Sequence, residues 1–507
     1  MKPLRLTLLP LLVAGMAWGA EPAPLRLTHR DALRLGLANL LQARIAREIR
    51  EQLRQEPEAQ MGIFDWQLAA SASNGKLEFG DIDPRFSGLS NLYLTNLNTV
   101  QDVRTASLGL SKLDAFGGTV NLNFSTGYNA SSYLLNNQTL PIGPSANLAF
   151  DTLNPYYGSL SLSYTQPLLR GFGRAATEAK LRAATEEAKG ASEGFRTRMQ
   201  DLLTRVDNLY WDQVYASQNL ENKKLALKLA QAQLEEDQER VKSEMLAPIE
   251  LPQTEATVAE REKQLLAAQA LLTNAQAALL ENLFPDGDRP GALELVDAPV
   301  PGPEPVPLAQ AKTTALAHRP EIGQAQYSLA ANQSLEKAAS NAMLPKLDTQ
   351  VAVIRDTTTH TDVNGVFNDW SQGRYPGYYV GLSFSFPLEN RTSRARLAQA
   401  RSAIRGSEYL VKDTLISVNL DVERAYTDLI TARKQVEAAD KALAFWKETL
   451  DAEMAKLENG MSTPFFVLQR QDQLDQARTA DLEARITAEK ARTNFKRAMG
   501  TLVDSVN

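Results

Sequence analysis

The chain contains no cysteine and only three histidines, His29, His318 and His360. No disulfide framework can exist, and no lipid-bearing cysteine follows the export signal described below. None of the histidines has the spacing of metal ligands on a helix face, so a metal site has no support. Neither a Ser/His/Asp constellation nor an acid pair stands out among the 60 acidic residues. No catalytic residue and no cofactor are therefore expected, and the chain does not read as an enzyme. Also missing is any apolar run long enough to cross a bilayer as a helix. The formal charge is −6, or −8 once Lys2 and Arg5 are set aside, and the two signs are interspersed. That pattern gives nucleic acid nothing to bind.

What is present begins with an address. Lys2 and Arg5 precede an apolar run from Leu6 to Val13, and Ala17-Trp18-Gly19 offers small residues where a signal peptidase needs them. Residues 1–19 read as a cleaved secretory signal.

Internal duplication organises the rest. Val206, Leu220, Leu227, Leu234 and Val241 share a seven-residue grid, and adding 216 to each gives Val422, Val436, Leu443, Leu450 and Leu457. Tyr210 and Asp212 map likewise to Tyr426 and Asp428, and Pro248 and Gln253 to Pro464 and Gln469. A second grid holds alanine, as at Ala216, Ala230, Ala425, Ala432 and Ala439. Small residues let helix backbones approach closely, and a strict heptad imposes left-handed supercoiling. Each copy thus predicts a long coiled-coil hairpin, over 174–284 and 391–499, with helices near 70 residues reaching roughly 100 Å. An ordinary helical hairpin would explain the heptads but not the strands that precede them.

A helical pattern opens at Leu27, with Thr28 as its cap and Asp31 three residues on. Its partner lies 279 residues later, where Ala32, Ala38 and Asn39 meet Ala311, Ala317 and His318. Period-two alternation then predicts two strands in each repeat, at about 64–79 and 156–167 and at about 345–357 and 377–388. The offsets differ by 279 − 216, leaving 63 extra residues between the strands of the first repeat. This excess, within about 80–155, reads as an extended extracellular insertion. It carries its own hairpin signal: Ser107 to Leu110 and Thr119 to Ser125 flank Asp114-Ala115-Phe116-Gly117-Gly118. The expected plan is a first repeat over 20–284, a connector at 285–307, a second repeat over 308–500 and a tail at 501–507. Seven prolines fall between Pro285 and Pro307, which predicts an extended connector, neither helix nor strand.

Gly171-Phe172-Gly173-Arg174-Ala175-Ala176 fits a dinucleotide-binding turn between strand and helix. The strand before it argues otherwise. A Rossmann first strand is buried on both faces and almost wholly apolar, whereas Leu160 to Gln166 alternates. Alternating ten-residue segments in an exported chain without an apolar helix are instead the signature of an outer-membrane barrel. Tyr156, Tyr157, Tyr164, Tyr375, Tyr378 and Tyr379 cluster at strand ends, where interfacial girdles sit. Four strands cannot close a barrel alone, because the smallest have eight.

The opening Leu27-Thr28 to Asn39, the segment Ala317-His318-Arg319-Pro320-Glu321, the junctions Gln166-Pro167-Leu168 and Phe386-Pro387-Leu388, and the turn from Gly460 to Gln469 together resemble the TolC family of outer-membrane efflux proteins. The resemblance implies a mainly helical chain with a membrane β-barrel. Three copies would share a 12-stranded barrel, four strands each, above a periplasmic α-barrel of coiled-coil hairpins. It further implies a passive exit duct for efflux or type I secretion, embedded in outer-membrane lipid. The partners would be an inner-membrane pump and a periplasmic adaptor. The adaptor would dock at the hairpin tips, here Met245, Pro248 and Ile249 and Gly460, Thr463, Pro464 and Phe465. Two acidic residues that ring the entrance in well-known members fall here at Phe466 and Gln469; the first repeat offers Glu250 and Gln253. A periplasmic coiled-coil adaptor or scaffold without a pore is the alternative, and it accounts for the signal and helices alone.

Overall fold

The computed structural model describes residues 25–503 except 83–96, 139–145, 152–153, 245–246, 288–289, 291–292, 301 and 358. The side chains at 79–82, 97–99, 133–138, 146–150 and 250 also lie outside the description. The signal segment, the end of the tail and Met245 therefore fall outside the described residues. The chain forms two compact units, one from residues up to 51, 192–324 and 411 onward, the other from 52–191 and 325–410.

The first unit is helical. Strand β1 (Leu25–Leu27) leads into α1 (His29–Asn39), and α2 (Leu41–Met61) begins here before entering the second unit. The cap of α1 forms as its sequence implies: the Thr28 hydroxyl accepts from the Asp31 amide at 3.2 Å and donates to the Asp31 carboxylate at 2.6 Å.

Two long hairpins make up the bulk, and both long helices continue into the second unit. In the first repeat a single turn, α3 (Arg174–Thr177), precedes α4 (Ala179–Lys242), which returns as α5 (Leu251–Leu283). The heptad grids point inward, since Val206, Leu220, Ala216 and Ala230 are all buried, and each apolar face stabilises by being taken out of water. Val206 joins Leu203, Tyr210 and Leu279 in one core with Ala32 and Leu33 of α1.

After α5 the connector holds a strand, β7 (Leu293–Leu295), parallel to β1. A strand there was not expected. The stretch 291–298 lacks proline, so its amides are free to pair, and Val296 donates to the Leu27 carbonyl at 3.3 Å.

Helices α6 (Leu308–His318) and α7 (Pro320–Asn341) open the second repeat, α7 again reaching the second unit. Arg319 between them is buried and donates to the carbonyls of Arg497 and Ala498 and to Asp421. It thereby satisfies groups that a helix end leaves unpaired.

The second unit is built on a sheet. Its strands are β2 (Gln67–Ile82), β3 (Leu97–Leu113), β4 (Thr119–Gln138), β5 (Ala146–Asp151), β6 (Tyr156–Pro167), β8 (Lys346–Asp356) and β9 (Pro376–Ser385). A short helix, α8 (Val363–Ser371), joins β8 to β9. The order is β2-β3-β4-β6-β8-β9, antiparallel throughout, with β5 pairing the far part of β4. The second-repeat hairpin, α9 (Arg391–Glu458) and α10 (Pro464–Ala498), follows.

This corrects the expectation of four strands per chain and of an insertion lying outside the sheet. Among the described residues six strands form one continuous path, because the extra hairpin β3–β4 enters between β2 and β6. Its turn is the Asp114–Gly118 segment. Asp114 accepts from the Phe116 and Gly118 amides at 2.8 Å, and Gly117 takes φ +90°. The turn is fastened to the strand-helix junction: Gly173 donates to the Phe116 carbonyl at 3.0 Å, and Tyr164 to Asp114 at 2.7 Å. Gly171 and Gly173 both sit near φ +90°, a conformation that side chains resist. The glycine-rich turn is thus a joint between strand and helix.

Candidate functional site

The first hairpin tip ends α4 with Glu244 at φ +60°, its amide donating to the Val241 carbonyl. After Ala247 a 3-10 turn, Pro248–Glu250, starts the return helix with proline at its first position, where a missing amide costs nothing. Ile249 is 84% exposed and Gln253 is exposed.

The second tip closes by a Schellman motif. The Gly460 amide donates to the Leu457 carbonyl and the Met461 amide to that of Lys456, with Gly460 at φ +72°. Ser462 donates to Glu453, and Lys456 pairs with it; these two contacts hold the Glu453 carboxyl below its ordinary value. Thr463 occupies the cap position of α10, but its side chain makes no cap hydrogen bond, contrary to what its type suggests. The amide of Phe466 bonds instead to the Thr463 carbonyl at 3.1 Å. Pro464 is buried.

Phe465 and Phe466 meet edge to face, their centroids 5.5 Å apart, and both remain about half exposed. The next two residues, Val467 and Leu468, are the ones that pack inward. Phe466 is therefore not absorbed into its own hairpin. Gln469 is also exposed. Among the described residues no hydrogen bond or ring contact joins Gln253 to Phe466 or Gln469.

Sequence reasoning missed a buried ionic cluster behind the tips. Arg261 on α5, 6% exposed, donates to Asp475 at 3.2 Å and to Asp472, both on α10; Lys223 on α4 reaches Asp475 at 2.6 Å. Close by, the buried Asp237 accepts from Thr254 at 2.8 Å and from Gln233 at 2.9 Å, tying α4 to α5. Charged residues on a coiled-coil helix read as its solvated face, which concealed these.

The histidines divide. His318 is exposed, whereas His29 is only partly so. Its ring packs on Tyr210 and Trp211, and its Nε2 lies 2.6 Å from the buried Asp207. His360 pairs with Asp369 at 2.7 Å. Among the described residues no cluster of His, Asp or Glu could hold a metal ion, and no helix is long and apolar enough to cross a membrane.

The sheet has the chemistry of a membrane wall. One register row reads Leu68, Leu110, Leu122, Leu162, Val353, Tyr378; the adjacent row, on the opposite face, reads Gln67, Ser111, Asn121, Ser163, Ala352, Tyr379. An apolar face that stays exposed, backed by a polar one, suits lipid on one side and water on the other.

Long helical hairpins and a two-faced sheet in one chain are the parts of a transport duct, and the sequence comparison agrees. The chain matches the model of the outer membrane efflux protein family over residues 119–283 and 313–501 and belongs to that family. It is an outer-membrane channel for efflux. A relative is the pyoverdine export outer membrane protein OpmQ of Pseudomonas aeruginosa, 24% identical over 368 residues that span 71% of this chain and 72% of that one. Among solved structures, the fold is similar to VceC of Vibrio cholerae (TM-score 0.65, 15% identity, 93% of this chain and 96% of that one). It is similar also to CusC (TM-score 0.64, 16% identity, 93% and 92%).

Proposed function

We propose that three copies of this chain close one barrel in the outer membrane and one helical duct in the periplasm. An adaptor bound at the hairpin tips then couples the duct to an inner-membrane pump. The two-faced sheet carries this reading: β2 and β9 leave open edges, and lipid offers nothing to satisfy unpaired backbone groups. A pore-less periplasmic scaffold would have no use for an apolar sheet face. Cargo passes without chemistry, since the duct needs only a wall and an entrance.

The docking surface comprises Met245, Pro248 and Ile249 on the first tip and Gly460, Thr463, Pro464 and Phe465 on the second. The entrance is formed by Glu250 and Gln253 with Phe466 and Gln469, giving one ring of three acids. In this reading Phe466 closes the resting channel by opposing wetting, as a narrow apolar ring does. Its exposure within its own chain supports the assignment.

Light scattering in detergent should give three times the chain mass, and the protein should resist salt extraction from the outer-membrane fraction. A stable membrane-inserted monomer would contradict the assembly. In planar bilayers Phe466→Ala should raise conductance and Glu250→Gln should reduce cation preference. Unchanged conductance for Phe466→Ala would return that ring to ordinary helix packing.

A further inference from the structure

We propose that the inserted hairpin β3–β4 is a membrane-spanning part of the barrel wall, so that three chains enclose eighteen strands. The inference rests on the trimeric channel proposed above and concerns how its wall is made.

The hairpin shares the two-faced pattern of its neighbours without a break. Leu110 and Leu122 stand between Leu68 and Leu162 on the apolar face, and Ser111 and Asn121 between Gln67 and Ser163 on the polar face. A hairpin outside lipid would have no reason to keep that parity over two strands. Shifting either strand by one residue would send its whole apolar set to the wrong side.

The lipid boundary is visible along the hairpin too. A strand needs about 9–11 residues to cross a bilayer, and β6, β8 and β9 have 12, 11 and 10. Strands β2, β3 and β4 are longer, at 16, 17 and 20 residues. On the apolar face the change comes between Ala72 paired with Ala106 and Asn74 paired with Arg104. Beyond it stand Lys76 and Asp102, in ion pairs with Glu78 and Arg104 at 2.8 Å. On β2 and β3 this face is apolar from Leu68 to Ala72 and from Leu110 to Ala106, with Lys112 at one end and the charged pairs at the other. Helix α8 seats Trp370 4.5 Å from Phe124 at the upper part of the apolar face, while its own Phe367 stays exposed.

Strand count sets width. Barrel diameter grows roughly linearly with strand number, so eighteen strands make a lumen about half as wide again as twelve. Barrels of 16–18 strands hold an open aqueous channel. The outer mouth of this duct would therefore pass solutes that a twelve-stranded wall would exclude.

The absence of cysteine makes the test direct. Single cysteines are placed at Leu122→Cys and Asn121→Cys on β4 and at Leu162→Cys and Ser163→Cys on β6, and the full protein in liposomes is exposed to a water-soluble maleimide. The expected result is reaction at 121 and 163, with 122 and 162 slower by about tenfold or more, as lipid-facing positions should be. If 122 reacts as fast as 121 while the β6 pair still alternates, the hairpin lies outside the wall and the proposal is overturned, though the channel reading survives. If neither pair alternates, the sheet is not in lipid and both readings fail.

Discussion

The two repeats share one plan and differ most where the difference costs least. At the sheet end the first repeat has gained a hairpin and the second has not. Strands can be added in pairs: a hairpin enters and leaves at the same end, so the up-down alternation and the parity of faces survive. At the other end no comparable insertion appears, because the 216-residue offset holds from Val206 to Gln253. An addition to one arm of a coiled coil would break its heptad register against its neighbours.

Within the helices the repeats diverge so as to complement each other. Arg261 corresponds to Ala477 and Lys223 to Ala439, while Asp475 corresponds to Ala259. The first repeat supplies the cations and the second the anions, so the ionic cluster is a lock between copies.

Breaking that lock should have the largest effect. Asp475→Ala leaves the buried Arg261 with Asp472 alone and removes the carboxylate that the partly buried Lys223 pairs with, and should lower stability by about 3–5 kcal/mol, read by denaturant unfolding in detergent. Restoration by Arg261→Leu with Lys223→Met would show that stranded charge is the cause; no loss at all would mean the cluster is solvated. Next comes the wall. Leu122→Arg and Leu162→Arg should each cost about 2–4 kcal/mol per chain, measured by refolding into liposomes, whereas Asn121→Arg should be tolerated. Unequal costs for the two leucines would separate the inserted hairpin from the older strands.

A third comparison uses residues 216 apart. Tyr210 is buried and donates to Asp297 at 2.8 Å; burial, reinforced by that carboxylate, raises its pKa. Tyr426 packs on Phe495 with no hydroxyl partner among the described residues. Tyr210→Phe should cost about 1.5–3 kcal/mol and Tyr426→Phe within about 0.5 kcal/mol, by the same unfolding measurement. The last comparison is between the two tips. Gly460→Val forces a branched residue to φ +72°, at about 1–2 kcal/mol, whereas Glu244→Gly relieves φ +60° and should gain up to about 1 kcal/mol. Gly460→Val should lose efflux at normal outer-membrane abundance. Full export by that variant would remove the tip from the coupling surface.

Local rules made much of this legible. Heptads announced α4 and α9, alternation announced β6, β8 and β9, and Asp114 to Gly118 announced a hairpin. The place of that hairpin was not legible, because its pairing partners Leu68 and Leu162 are distant in sequence and alternation alone does not name them. Proline count hid β7, since only the proline-free stretch between Pro290 and Pro299 can pair. The Arg261–Asp475 contact was hidden because burial of a charge depends on which helix lies opposite. Phe466 and Gln469 were located only by resemblance, and the structure adds their exposure.

The central claim is that the extra hairpin belongs to the wall. Imaging the trimer in a lipid nanodisc by electron microscopy and counting strands around the barrel tests it most directly. The account predicts eighteen, with β3 and β4 between β2 and β6 in every chain. Twelve strands, with the hairpin standing free of the membrane, would contradict it.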